Sequence, residues 1–403
     1  MITIKRASKP VKSNLKSGLA LAGGGPLGGF YELGALCALK DSVNALNLNN
    51  LDVYVGVSSG AFLVSALANG ISTEEIANIF AYNKNAETPF NPDHFLRPAY
   101  KQFIKKLSTS PFVTSEAILS WLKNPFKTSV VDVLEKLGTI LPNGVFDNSS
   151  LEKFLSKILT AKHCTNDFRK LKHKLYIVAC DINTGKIATF STDENSDVPI
   201  SKAVQASSAL PGLYEPVNIK GRFYVDGALR RTMNASAALN QNVHLLFAVN
   251  PIVPFASKQR LHQKSKLLKG GLPLVLSQTF RSVVQSRLKS GLDKYHTQYP
   301  KADIILIEPY KDDELLFSTN LFSYSNRDKL CEYAYQQTRR QIREQIKEVQ
   351  PILERHSYTI NETNLYSRKR QMKDFLNQEK MANSRVMLRL DETLNKLSRA
   401  ISH

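Results

Sequence analysis

Short apolar runs, each closed by a glycine- or serine-rich turn, punctuate the first two thirds of the chain. Leu19-Ala20-Leu21-Ala22 leads into Gly23-Gly24-Gly25-Pro26-Leu27-Gly28-Gly29 and then into a helix-like stretch from Tyr31 to Lys40. Leu51 to Val55 leads into Gly56-Val57-Ser58-Ser59-Gly60 and then into Ala61 to Ala68. Each reads as strand, tight turn, helix. Two such units in succession predict a mostly parallel α/β sheet flanked by helices, with its site at the carboxyl ends of the strands. Further β-rich runs lie at 174–180, 186–190, 223–225, 244–249 and 303–307, with Asn183-Thr184-Gly185 joining the first two. Pro199 to Ser208 has helical spacing.

Between 71 and 160 the pattern is irregular and punctuated by Pro89, Pro92, Pro98, Pro111, Pro125 and Pro142, which suggests a helical insertion or cap. From about Asn326 to His403, Arg, Lys, Gln and Glu dominate, and Leu330, Tyr333 and Ala334 fall at helical spacing. The expected organisation is a flexible basic arm (1–17), an α/β domain (18–310) carrying the insertion (71–160), and a helical C-terminal region (311–403).

Composition changes this picture in one respect. The 403 residues are 42% hydrophobic and 22% charged, ordinary for a globular chain, but the net charge is +19. Such an excess attracts polyanions, either nucleic acid or an anionic membrane surface. Lys5, Arg6, Lys9, Lys12 and Lys16 precede the first acid, Glu32, and from Lys258 to Lys301 the sole acid is Asp293. Within that second stretch, Phe280 to Leu288 reads as an amphipathic helix, suited to a peripheral anionic membrane surface or to packing on the sheet. No aromatic-interleaved basic motif points to nucleic acid. Cys37, Cys164, Cys180 and Cys331 are too widely spaced for a zinc or redox site, and no metal is expected. No apolar run approaches the roughly 20 residues that span a bilayer. Leu19–Ala22 is too short for a signal-peptide core. The expected location is cytoplasmic or peripheral to a membrane, with export by a route that reads other signals left open.

Ser58 carries the candidate chemistry. At the apex of Gly-x-Ser-x-Gly, between a strand and a helix, a serine is presented as a nucleophile near a helix N-terminus; Gly56 and Gly60 let the backbone double back. By itself the motif also fits an ordinary strand-to-helix loop. The N–H groups of Gly23, Gly24 and Gly25 can stabilise the oxyanion of acyl transfer, whereas Pro26 has none to offer. Gly23, Gly25 and Gly28 also fit a dinucleotide fingerprint, but the acid that fingerprint needs at the end of the next strand is missing: Asp52 stands at its start. Asp226, ending an apolar strand before Gly227, is either a base at the sheet's carboxyl edge or a turn residue. Of the histidines, His244 at a strand start is the sole candidate for a triad; strand edge is its simpler role.

Leu21-Ala22-Gly23-Gly24-Gly25, Gly56-Val57-Ser58-Ser59-Gly60, Gln205-Ala206-Ser207-Ser208-Ala209-Leu210-Pro211-Gly212 and Asp226-Gly227-Ala228 occur in the order seen in patatin-like phospholipases. From about Leu19 to Pro309 the chain resembles a bacterial-type member of that family. The resemblance implies a three-layer α/β sandwich. It implies a lipid acyl hydrolase of phospholipase A or lysophospholipase type, acting on phospholipid or lysophospholipid with a Ser–Asp dyad and no cofactor. It assigns the nucleophile to Ser58, the base to Asp226 and the oxyanion hole to Gly23–Gly25. Acyl transfer to an alcohol or lysolipid, and a catalytically silent membrane-binding protein, are the alternatives. The chain departs from the family pattern at Leu27, where Arg or Lys is usual, and lacks the Asn-Pro that often follows the Asp-Gly motif; Asn234-Ala235-Ser236 stands nearest.

Overall fold

The computed structural model describes residues 1–9, 15–82, 144–161, 163–256, 271–313, 315–316 and 326–378. A nine-stranded sheet organises them. Its strands are β1 (Ile2–Lys5), β2 (Ser17–Leu21), β3 (Val53–Val57), β4 (Lys174–Asp181), β5 (Ile187–Phe190), β6 (Val217–Ile219), β7 (Arg222–Asp226), β8 (Leu245–Val249) and β9 (Asp303–Ile307). They lie in the order β1-β9-β8-β2-β3-β4-β7-β6, with β5 also paired to β4. The five from β9 to β4 are parallel, and β1, β5, β6 and β7 join antiparallel.

The central strands are apolar throughout because both faces are buried. Side chains alternate between two cores: Leu19 and Leu21 enter one, Ala20 and Ala22 the other. Helices α1 (Gly25–Ser42) and α2 (Ser59–Ala68) cover the first face with Leu36 and Leu67. A short helix at Ser236–Leu239 and the long α6 (Gly271–Gln298) cover the second, through Leu239 and Leu288. The result is a three-layer α/β sandwich. Two more helices, α3 (Thr73–Phe80) and α4 (Ser149–Leu159), bound the region expected as an insertion; its residues 83–143 lie outside the described part. A fifth, α5 (Ile200–Ser207), precedes β6 and β7.

The N-terminal residues are not the flexible arm that their basic composition predicts. Residues 2–5 pair antiparallel with β9 and cover what would be an open sheet edge. Lys5 is buried along its stem, and its Nζ donates to the carbonyls of Tyr299 and Ala302. Residues 10–14 lie outside the described part.

Of the C-terminal region, the described residues 326–378 are mainly helical, with a short strand at Thr359–Ile360, and they pack into the core; residues 379–403 lie outside the described part. Helix α1 is buried nearly all round, so a second layer must cover the side that faces away from the sheet. Helix α7 (Arg327–Glu344) does so, with Cys331, Ala334 and Tyr335 packed in the same core; α8 (Ile346–Arg355) follows. At the end of α1, the buried Asp41 accepts from Tyr335 Oη at 2.5 Å and Asn364 Nδ2 at 3.0 Å, and the Arg370 guanidinium donates to both of its oxygens. Removing one partner of a buried pair leaves an uncompensated charge, at a cost of about 3–5 kcal/mol. Arg370→Ala should therefore lower the urea midpoint strongly, and Arg370→Lys should recover part of the loss. Equal midpoints for Arg370→Ala and wild type would show that this pair does not hold the C-terminal helices.

Candidate active site

Strands β2 and β3 are neighbours in register, with Leu21 opposite Gly56. The residues just past their ends, Gly23 and Ser58, therefore meet: a Cβ on Gly23 would stand 2.8 Å from the Ser58 Cβ. Ser58 has φ 51° and ψ −121°, a conformation that costs a side-chain-bearing residue roughly 1–3 kcal/mol. Its surroundings enforce it. The Ser58 N–H donates to Ser207 Oγ at 2.8 Å, and the Ser207 hydroxyl donates to the Val178 carbonyl at 2.6 Å. The Ser58 carbonyl accepts from Ala61 N at 3.0 Å, starting α2. Gly60 passes within 2.6 Å of the Leu21 backbone, counted from where its Cβ would be, so this position admits no side chain. Gly56 lies inside β3, packed on Ala61, so the turn is tighter than its Gly-to-Gly spacing predicts and centres on Ser58 alone.

Asp226 arrives from the other direction. Strand β4 pairs with β3 through residues 174–178 and with β7 through residues 179–181, while β5 occupies its opposite edge. The ends of β3 and β7 thus abut along one edge of β4, with Val57 opposite Val178 and Asp226 opposite Ala179. Strand β7 runs antiparallel to β4, and Asp226, which ends it, reaches the carboxyl edge because β7 begins beyond that edge. Gly227 crosses so close to the Val178 carbonyl that a Cβ would lie 2.5 Å from its oxygen.

Asp226 is buried, and the Ser58 hydroxyl stands close enough to its carboxylate to favour the charged form. Its Oδ1 also accepts from Ala228 N at 2.8 Å. Burial raises its pKa to about 6, against the opposing pull of the Ala228 bond and the Ser58 hydroxyl. The glycine turn lies alongside. Gly24 caps α1, Gly25 has φ 61°, and the first helical bond runs from Gly28 N to the Gly24 carbonyl at 3.0 Å. Earlier N–H groups in such a turn have no intrahelical partner. Gly24 and Gly28 pack against Pro251, and Leu27 is buried in the core. Asp52 accepts from Ser17 N at the amino edge of the sheet, away from this turn.

Ser58, Asp226 and Gly23–Gly25 share a cavity of about 460 Å³ whose walls are mainly apolar, including Phe30, Phe62, Leu210, Leu229 and Phe280. No histidine is among the described residues that line it. His244 sits at the start of β8, at the amino edge, where its Nδ1 accepts from Lys16 N; His94 lies outside the described part. Among the described residues no cluster of His, Cys, Asp and Glu could hold a metal ion. A hydroxyl next to a buried carboxylate, beside backbone N–H groups and under an apolar cavity, can attack an ester whose acyl chain fills that cavity.

Residues 19–239 match the Patatin-like phospholipase family. The chain belongs to the patatin-like phospholipase family. It is 27% identical over 223 residues to "Uncharacterized protein R571" of Acanthamoeba polyphaga mimivirus, covering 54% of this chain and 60% of that protein. It is 22% identical over 206 residues to "Probable lipid hydrolase 463L" of Invertebrate iridescent virus 6, covering 51% of this chain and 58% of that one. The match therefore spans about three fifths of these curated relatives. VipD from Legionella pneumophila aligns at TM-score 0.38 and 18% identity, over 82% of this chain and 67% of that one.

In this member of the family, the sequence gives no sign of the part that two polar groups play around Ser58. Ser207 was visible only as part of a motif, because its bond to Ser58 spans 149 residues. Glu32 stands at a helical position like any surface acid, yet it is fully buried. Ser59 Oγ lies 3.4 Å from its Oε2, and Oε1 has no hydrogen-bond partner among the described residues. Burial raises its pKa well above the usual carboxylate range, which favours the protonated form in the folded protein. Its unfolded counterpart ionises near pH 4.5, so wild-type stability falls as pH rises above that value. Glu32→Gln should gain stability relative to wild type as pH rises above 4.5. A pH-independent gap between the two urea midpoints would mean that Glu32 is not held neutral.

Proposed function

We propose that the protein is a serine lipid acyl hydrolase of phospholipase A or lysophospholipase type, working through a Ser58–Asp226 dyad. The observation that carries this reading is the juxtaposition of Ser58 and the buried Asp226 carboxylate, at abutting strand ends on the floor of one apolar cavity. As Ser58 Oγ attacks the ester carbonyl carbon, its proton passes to Asp226. The oxyanion faces the N–H groups of Gly23–Gly25, where each well-placed donor contributes about 2.7–4 kcal/mol. The tetrahedral centre collapses, the alkoxide leaves with the proton from Asp226, and the acyl chain stays on Ser58. Water, deprotonated by Asp226, then releases the fatty acid and restores the serine.

The raised pKa of Asp226 suits this work, since a base near 6 is ionised at neutral pH yet binds protons more strongly than an ordinary carboxylate. A peripheral anionic membrane is the proposed source of substrate. Helix α6 supports this: it exposes Val275, Leu276 and Val283, Leu276 also lines the cavity, and Arg287, Lys289 and Lys294 follow along the same helix. No described helix is long and apolar enough to cross a membrane.

The test is mass-spectrometric detection of fatty acid released from mixed phospholipid vesicles by the purified protein. Ser58→Ala and Asp226→Asn should each abolish release, by a factor of about 10³ or more, while retaining wild-type circular dichroism. Wild-type activity in folded Asp226→Asn would refute the dyad. A new ester product formed in the presence of an added alcohol would instead identify acyl transfer. Because the base must be ionised, kcat/KM should fall about tenfold per pH unit below pH 6. A profile flat down to pH 4 would exclude Asp226 as the titrating base.

A further inference from the structure

Asn250 is a fully buried amide that the chemistry of Ser58 and Asp226 leaves unexplained. It follows β8 directly, and its N–H donates to the Ile307 carbonyl at the end of β9 at 2.9 Å. Its side chain closes on the loop that it opens. Oδ1 accepts from Ile252 N at 3.2 Å, and Nδ2 donates to the Ile252 carbonyl at 3.2 Å. An Asn side chain bonded to the backbone two residues on forms a turn of its own. Pro251, with its φ fixed by the ring, is held inside that turn.

The turn is anchored to its surroundings. Nδ2 also donates to Glu308 Oε1 at 2.7 Å, just past β9, and to Gln285 Oε1 at 3.2 Å on α6; the Glu308 bond is the shortest of the four that the side chain makes. Arg281, which lines the cavity one helical turn before Gln285, donates from Nη1 to the Val253 carbonyl at 3.2 Å. Pro251 in turn faces the glycine turn. A Cβ on Gly24 would stand 2.7 Å from the Pro251 Cγ, and one on Gly28 would stand 3.0 Å from the same atom. Gly24 caps α1, and its carbonyl takes the first helical bond, from Gly28 N. The proline ring therefore lies against both ends of the bond that starts the helix. A buried polar network that satisfies its members rigidifies what it holds, and here it holds Pro251.

We propose that Asn250 is a positioning residue: through Pro251 it sets the direction of the N–H groups in the glycine turn. Asn250 does not line the cavity, so it acts on the turn and not on the substrate. An oxyanion is stabilised by donors aimed before its charge develops, and a displacement of about 1 Å can cost roughly 10²-fold in rate. Loss of the Nδ2 bonds frees Pro251 from Gly24 and Gly28. The transition state uses these donors more than the bound ester does, so the loss falls on turnover and not on binding. This inference rests on Ser58 as the nucleophile and on the glycine turn as its oxyanion site.

The experiment follows fatty acid release from mixed phospholipid vesicles by the full chain, with kcat read at saturating lipid and KM from the lipid dependence. Asn250→Asp keeps the acceptor for Ile252 N but sets a carboxylate against Glu308. Its kcat should fall by a factor of about 10 to 100 with KM unchanged. Glu308→Leu removes the same bond from the other side and should give the same split, so either variant decides where the other does not fold. Combining Asn250→Asp with Glu308→Gln exchanges amide and carboxylate, restores a donor between the two positions, and should recover most of kcat. Wild-type kcat in either single variant, with wild-type circular dichroism, overturns the proposal. A rise in KM at constant kcat overturns it too, since the effect would then lie in the cavity wall at Ile252. A double variant no faster than Asn250→Asp does the same. Hydrogen exchange across residues 19–30 separates this claim from the hydrolase reading. The Gly28 amide should exchange faster in Asn250→Asp and return towards wild type in the double variant. If the wild type releases no fatty acid while exchange follows this pattern, the brace stands and the hydrolase reading falls. If exchange in the turn is unchanged, the proposal falls whatever the activity.

Discussion

Two strand ends meeting along one edge of β4 make the candidate site. Strand β3 stops at Val57 opposite Val178, and β7 stops at Asp226 opposite Ala179. Backbone pairing fixes both ends, so the Ser58 hydroxyl and the Asp226 carboxylate meet without help from long side chains. The junction is tight enough that Gly227 must pass directly over the Val178 carbonyl. The same carbonyl accepts from Ser207, which holds the Ser58 N–H. One short stretch of β4 therefore positions Ser58, Asp226 and the serine turn, which is the kind of rigid support that catalytic geometry requires.

The parallel strands were legible because they are buried on both faces and read as continuous apolar runs ending in small residues. The run 174–180 and the serine turn are clear cases. The direction of β7 was not legible. A period-two pattern is the same in parallel and antiparallel strands, so Asp226 could be named while the way it arrives could not. Strand β1 was hidden by composition, since Lys5 and Arg6 read as a solvated arm while the Lys5 stem is in fact buried. The acid Glu32 and the cation Arg281 were missed for a related reason: helical spacing tells which residues share a face, but not that a charged group on that face is taken out of water.

Burial of charge recurs around Ser58. Asp226 and Glu32 both have raised pKa values for lack of water, and Arg281 has a lowered one for the same cause. An apolar cavity suits an acyl chain, and it also strengthens every electrostatic contact within it. The Ser58 hydroxyl, the Asp226 carboxylate and the N–H groups of the glycine turn thus lie in a medium where electrostatic contacts count for more than they would in water. The strained backbone of Ser58 and the buried acids are the local violations of foldability expected at a functional site, offset by the two hydrophobic cores on either side of the sheet.

The C-terminal helices bear on the chemistry through α1. That helix begins in the glycine turn at Gly25 and ends at Ser42, next to Asp41. One side lies on the sheet; α7 covers another so closely that a Cβ on Gly34 would stand 2.2 Å from the Cys331 carbonyl oxygen. Arg370, Tyr335 and Asn364 clamp its far end through Asp41. These contacts hold the helix along its length and at its end, and so brace the turn at its start. Oxyanion stabilisation depends on donors aimed before the charge develops. Residues 326–378 are therefore part of what orients the glycine turn, although none of them lines the cavity.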